Sequence, residues 1–336
     1  MYGLYKVQAG LEAEAGTAVA ADHKWMANLL HPKVGDQQWI QPEEERGSLA
    51  GAFRAYFAQR MAELGSLVGD VTFEDLPIWL GMAIVGSVSP TQPDSAESPD
   101  TYLWTYAPSL TSGNTPDTYT IEWGDDVQVW ESEYAFATDL EISGSLGEAW
   151  KISMPIVGRQ HSTASFTGAL SDRTVESVLT NISKLYMDDA GGSIGTTQIE
   201  SAFRDFSWKM GEHFAPFFTA EGNKYFTMFS EKKFGLGSPT LDITLVVDAT
   251  TKTLITTKYA AGTVQLVRIE GTGTSIEDAY TRYVYLDGAY LITGVDEIAE
   301  ANGESVVTLH LAGQYDSTYA KLFEIAVMNK VDALPS

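Results

Sequence analysis

Apolar and polar residues alternate along most of this chain, which is the two-residue period of half-buried strands. Leu67, Gly69, Val71 and Phe73 alternate and Asp75 follows; Leu241, Ile243, Leu245 and Val247 alternate and Asp248 follows. The same pattern predicts strands near 119–123, 127–132, 140–143, 150–157, 182–187, 206–210, 225–229, 241–247, 264–270, 283–286, 290–293 and 306–311. The stretch 52–61 fits a strand with Val71 and Phe73 as its hairpin partner, although its Ala and Arg content also suits a helix. Phe323, Ile325 and Val327 alternate as a last strand, while Tyr319, Leu322, Phe323, Ala326 and Val327 also carry helical spacing.

Only two segments carry a clear helical expectation. Asp75 is placed to cap a helix with Pro77 in its first turn, and Leu76, Trp79, Leu80, Ala83 and Ile84 follow the i, i+3, i+4 rule. A Thr-rich counterpart runs from Asp248 to about Tyr259, with Leu254, Ile255 and Tyr259 inward. The expected fold is mainly β, with about one helix for each half of the chain.

The landmarks recur in order. Glu141, Ile142, Gly147 and Glu148 match Glu297, Ile298, Gly303 and Glu304 at one spacing. Thr120-Ile121-Glu122 has a partner in Arg268-Ile269-Glu270, and Gly16-Thr17 in Gly195-Thr196. A repeated β-unit argues for two similar modules side by side. At 336 residues the chain is long enough for two cores. The expected division is a first module over 1–160, a connector over 161–181, and a second module with a C-terminal extension over 182–336. Residues 87–118, rich in Ser, Thr, Pro and Asp, read as a long surface loop of the first module.

Charge and chemistry narrow the function. A formal charge of −24 leaves no basic surface for phosphates or anionic lipid. There is no cysteine, hence no disulfide and no Cys-based zinc site. The N-terminus lacks a basic segment followed by an apolar run, and the apolar stretch 76–85 is too short to span a bilayer. His23, His31, His161, His213 and His310 form no metal-binding spacing, and Gly271-Thr272-Gly273 lacks the downstream glycine of a dinucleotide loop. Asp188-Asp189-Ala190-Gly191-Gly192 has no closing Glu for calcium and reads as a turn. No catalytic residue, cofactor site or metal site is expected. Two readings from other classes stay open: an acidic β-sandwich that holds sugars on some of its eight tryptophans, and a glycosidase with an unidentified carboxylate pair.

Several segments resemble the tail tube proteins of long-tailed bacteriophages. They are Arg46-Gly47-Ser48-Leu49-Ala50-Gly51-Ala52-Phe53-Arg54, Gly69-Asp70-Val71-Thr72-Phe73-Glu74-Asp75-Leu76-Pro77-Ile78-Trp79-Leu80, Tyr119-Thr120-Ile121-Glu122-Trp123-Gly124-Asp125, Asp139 through Glu148, Lys184 through Gly192, and Asn302-Gly303-Glu304. The resemblance covers most of the chain and consists of structural motifs. It implies two tandem tail-tube modules, each a β-sandwich or split barrel with a flanking helix. Three chains would then supply six positions of a ring, and rings would stack into the hollow tail of a virion assembled in the host cytoplasm. The implied partners are other copies of the chain, a tape-measure protein, and the tail tip and tail terminator proteins. DNA would pass through the bore unbound, and no membrane is involved. The tube protein of a contractile secretion system shares the architecture and is a structural alternative.

Two surface expectations follow. The segments 63–69 and 230–238 are expected to project between rings, with Lys232, Lys233 and Phe234 as stacking residues, because cations are scarce in so acidic a chain. The bore is expected to be acidic, with Asp70, Glu74 and Asp242 as candidate lining residues, since each cation on a phosphate adds drag.

Overall fold

A computed structural model describes residues 5–32, 36–61, 63–220, 224–277 and 280–335. The first four residues, read above for a leader, lie outside that set. The chain is mainly β, with 48% of it in strands, and one antiparallel sheet takes in most of them.

In the first half, Lys6–Leu11 pairs with Tyr119–Gly124, and that strand pairs with Val129–Ala137. The end of Val129–Ala137 crosses to Lys151–Val157, which lies beside Glu63–Asp70, which in turn lies beside Asn28–Leu30. Glu141–Gly144 returns against Lys151–Val157. The second half has the same order. Lys184–Asp189 pairs with Val264–Glu277, then Tyr280–Val295, then Glu304–Gly313, then Gly237–Val246, then Phe203–Lys209, and Ala299–Ala301 returns against Glu304–Gly313. Helix Leu76–Ala83 follows Glu63–Asp70, and helix Ala249–Thr253, prolonged by a π-turn over Leu254–Tyr259, follows Gly237–Val246. Each half also carries a separate hairpin at one place in that order: Asp36–Ile40 with Tyr56–Met61, and Phe214–Phe217 with Met228–Glu231.

The registers show which landmarks are equivalent. Leu67 faces Met154 and Leu241 faces Leu311, all four buried, so the alternating runs before the helices occupy the same place. Ile121 and Ile269 likewise sit at the centre of matching hairpins. The 141/297 match holds only in part. Gly147 and Gly303 are both turn glycines with positive φ, but Ile142 is a buried strand residue and Ile298 is an exposed loop residue. The hairpin is longer in the second half, so the strand equivalent of Ile142 is Val295, opposite Leu309.

The halves are joined rather than strung together. Glu141–Gly144 pairs with Phe203–Lys209, which makes one continuous sheet from Asn28–Leu30 to Ala299–Ala301. Residues 87–118 are not only surface loop: Tyr102–Tyr106 adds a strand to Phe323–Asn329, at the edge of the second half, and buries Trp104 and Tyr106. The expected connector is likewise built in, since Gln160–Ala164 pairs with Val129–Ala137, and the Val178 amide donates to the Val71 carbonyl. One apolar cluster runs through both halves, from Val7 to Val327.

Other expectations need correction. The strand in 52–61 covers only Tyr56–Met61, and its partner is Asp36–Ile40 rather than Val71 and Phe73. Nothing is described of the side chains of Gln59, Arg60 and Met61. Residues 63–69 form an interior strand and do not project. Asp75 makes no side-chain cap; it is buried and bonds Arg173, while Asp248 does cap its helix by accepting from the Thr251 amide. All eight residues of Leu76–Ala83 are buried, so this helix is a core element with no polar face.

Candidate functional site

The sheet that unites the two halves ends in two edges. Asn28–Leu30 pairs with Glu63–Asp70 alone, and 292–301 pairs with Glu304–Gly313 alone, among the described residues. These edges are the counterparts of the two strands that meet at the internal joint. Asn28–Leu30 takes the place of 207–209, because Leu29 faces Leu67 as Trp208 faces Leu241. Val295 takes the place of Ile142, because it faces Leu309 as Ile142 faces Ile152. The joint therefore pairs, inside one chain, the counterparts of its two free edges. An open edge is a template for another strand.

Sheet pairing puts one polar row across the outward face. Asp70 pairs with Lys151, Lys151 with Ser143, Ser143 with Ser207, Ser207 with Asp242, Asp242 with His310, and His310 with Gly294. The charges in this row are paired, with His310 shared between two acids. Lys151 Nζ lies 2.6 Å from Asp70, and the His310 ring bonds Asp242 at 2.7 Å and Asp296 at 2.9 Å. Those two carboxylates raise the His310 pKa above its usual value. One row along, Lys209 sits 3.5 Å from Glu141.

The expected lining acids are thus separated. Asp70 and Asp242 lie on this outward face, each with a cationic or hydrogen-bonding partner. Glu74 is buried: it accepts from Arg282 at 2.9 Å and from the Glu176 amide at 2.8 Å, so it offers no carboxylate to a bore. The three expected stacking residues also differ among themselves. Lys232 is ion-paired to Glu212, and its amide donates to the His213 carbonyl. Phe234 turns inward, stacked on His213 at 4.5 Å and edge-on to Phe323. Lys233 is exposed beside Leu236, which is fully exposed. His213 is itself fully buried, and burial lowers its pKa, so it is held neutral.

Sequence reasoning missed one paired feature. Gly16 and Gly195 both have positive φ, and each backs onto an arginine: a Cβ there would lie 2.6 Å from Arg159 and 2.7 Å from Arg268. Arg159 bonds Glu133 and Arg268 bonds Asp287, two acids at matching places in the central hairpins. Glu12 and Asp188, at the ends of the matching first strands, accept backbone amides from the same turns. The only trace in the sequence was the repeated Gly-Thr.

Among the described residues there is no cluster of metal-binding side chains and no helix long and apolar enough to cross a membrane. No protein-family model matches the chain. No curated protein matches it either.

Proposed function

We propose that this chain is a ring-forming structural subunit, two tandem tail-tube modules per chain, three chains to a ring, with rings stacked into a hollow phage tail tube. The observation that carries it is the repeated connectivity together with the internal joint. A module that binds its own copy through one edge, and leaves the complementary edges open at both ends, makes a heterologous contact that either closes into a ring or runs on as a filament. Two modules in each chain and six positions in the ring give three chains. Closure pairs both of these edges.

In this reading the outward face of the joined sheet lines the bore. It is furnished with small hydroxyl residues, among them Ser143, Ser153, Ser207, Thr244 and Thr308, and with charged side chains held in ion pairs. Such a wall holds few free cations to displace counterions from phosphate, so DNA would slide rather than bind. Among these groups the acids outnumber the bases, Asp70, Glu141, Asp242 and Asp296 against Lys151, Lys209 and His310, in keeping with the expected net acidic lining. Tape-measure, tip and terminator proteins remain the partners that the tube role implies.

The test uses the absence of native cysteine. In the joint Ser143 faces Ser207; the free-edge counterparts are Asp296 and Asn28. The variant Asn28→Cys/Asp296→Cys, concentrated and mildly oxidised, is expected to give a covalent ladder ending at three chains, with rings or tubes in negative-stain images. Monomers at every concentration would exclude the ring, and a ladder running past three would exclude the trimer.

A further inference from the structure

The joint between the halves includes more than paired strands. The hairpin Phe214–Phe217/Met228–Glu231 belongs to the second half by its place in the chain, but it folds back over the first. Phe214 and Phe226 are buried there against Tyr134, Phe136 and Val157, with Phe226 5.3 Å from Tyr134 and 5.8 Å from Phe136 between ring centres. Phe214, Ala215 and Pro216 of its first strand line one groove with Pro155, Ile156 and Val157. The seat is therefore filled within the chain.

The first half has the same hairpin at the same place in the strand order, 36–61, and among the described residues it has no such seat. It carries exposed apolar residues: Trp39 at 57%, Tyr56 at 50%, with Ile40, Phe53 and the fully exposed Leu49 beside them. That much exposed apolar surface on one arm marks an interaction surface. The arm leaves the sheet at Asn28–Leu30, which is its outer edge. If it folds back in the sense that the second hairpin does, it passes beyond this chain.

The second half has a groove at the place that corresponds to 156–157. Counting along from the equivalent pairs Leu67/Met154 and Leu241/Leu311, Ile156 and Val157 correspond to Gly313 and Gln314. A groove of about 870 Å³ opens there, lined in part by Leu110, Lys233, Leu236, Gly313, Tyr315 and Leu322. Leu110, Leu236 and Tyr315 are exposed around it.

We propose that the 36–61 hairpin of a second copy of this chain occupies this groove, repeating between chains the contact that the 214–231 hairpin makes within one. The inference rests on the ring reading and names the side chains that lock neighbouring chains. Charge agrees with it. Inside the chain, Lys224 near the tip of one hairpin lies 4.1 Å over the Phe57 ring on the flank of the other. In the repeated contact the tip residues Glu43 and Glu45 approach the flank at the exposed Lys233. Aromatic anchors entering an apolar pocket, with charges at the rim, is the usual layout of a specific interface.

The experiment is photo-cross-linking in assembled protein. Tyr56 is replaced by a photoreactive phenylalanine, and equal parts of light and isotope-labelled chains are mixed, assembled and irradiated. Cross-linked peptides joining residue 56 to 231–238 or 313–315, in mixed light–heavy pairs, are the expected result. Assembled rings whose cross-links fall elsewhere, or only within one chain, overturn the arm contact and leave the ring standing. Failure to assemble even for the unmodified chain overturns the ring reading and this inference with it. A second variant, Leu49→Asp/Leu236→Asp, alters two fully exposed residues and is expected to keep the monomer's circular dichroism and melting temperature. It should raise the concentration needed for assembly at least tenfold; an unchanged value overturns the proposal.

Discussion

Two histidines give the molecule opposite responses to pH. His310 lies between Asp242 and Asp296, and its pKa in the folded chain is raised above the unfolded value of about 6.5. Its contribution is fully present below that value and is lost as pH rises through the folded pKa. The groups facing it are those two carboxylates, and its partial exposure keeps the effect small. His213 is buried with its pKa depressed, chiefly by desolvation. Unfolding lets it take up a proton, so stability falls as pH drops below about 6.5. Urea denaturation across pH should show both limbs: His310→Gln flattens the alkaline one, and His213→Phe flattens the acid one. A second residue-scale prediction concerns Gly16 and Gly195. Ala at either position meets a positive φ and an arginine inside contact distance, and should cost about 1–3 kcal/mol in denaturant midpoints. Ala at Gly147, also of positive φ but with open space around it, should cost less, which separates backbone strain from the clash.

At the scale of elements, the strand Tyr102–Tyr106 helps tie the first half to the far edge of the second. Trp104 is buried, stacks on Tyr106 at 6.4 Å between ring centres, and donates its indole N–H to the Val331 carbonyl at 2.9 Å. Trp104→Ala should destabilise by about 3–5 kcal/mol, through cavity formation. Hydrogen exchange should then show early loss of protection at Phe323–Asn329, its direct partner. Loss confined to the first half would contradict this link. The two short hairpins behave differently. The 214–231 hairpin is anchored by buried phenylalanines, whereas 36–61 has exposed rings, so limited proteolysis of the free chain should cut near 46–51 first.

At the scale of the whole molecule, the halves share one sheet and one apolar cluster. Calorimetry should therefore record one cooperative unfolding transition rather than two, since neither half can lose its strands at the joint without exposing the other. Two resolved transitions would show that the joint is weaker than its pairing suggests.

The alternation of the sequence determined most of the strands, because burial of one face writes its period directly into residue type. Strands such as 119–124, 151–157 and 304–313 were legible for that reason, and so were the helices, where Asp75 and Asp248 are followed by a change of period. The repeat was legible in order but not in register: Leu67 and Leu241 are true counterparts, whereas Ile142 and Ile298 are not. A short loop insertion moves the counterpart to Val295 while leaving a chance identity behind. Tertiary structure alone decided the rest. Whether a charged residue is free or paired depends on strands far apart in sequence, as with Glu74 and Arg282 or Asp70 and Lys151. Tyr102–Tyr106, set in a Ser- and Pro-rich stretch, becomes a strand only because Phe323–Asn329 offers it an edge. Which edges stay open, too, is decided by the tertiary pairing, since sequence records which face is buried and not which edge has a neighbour.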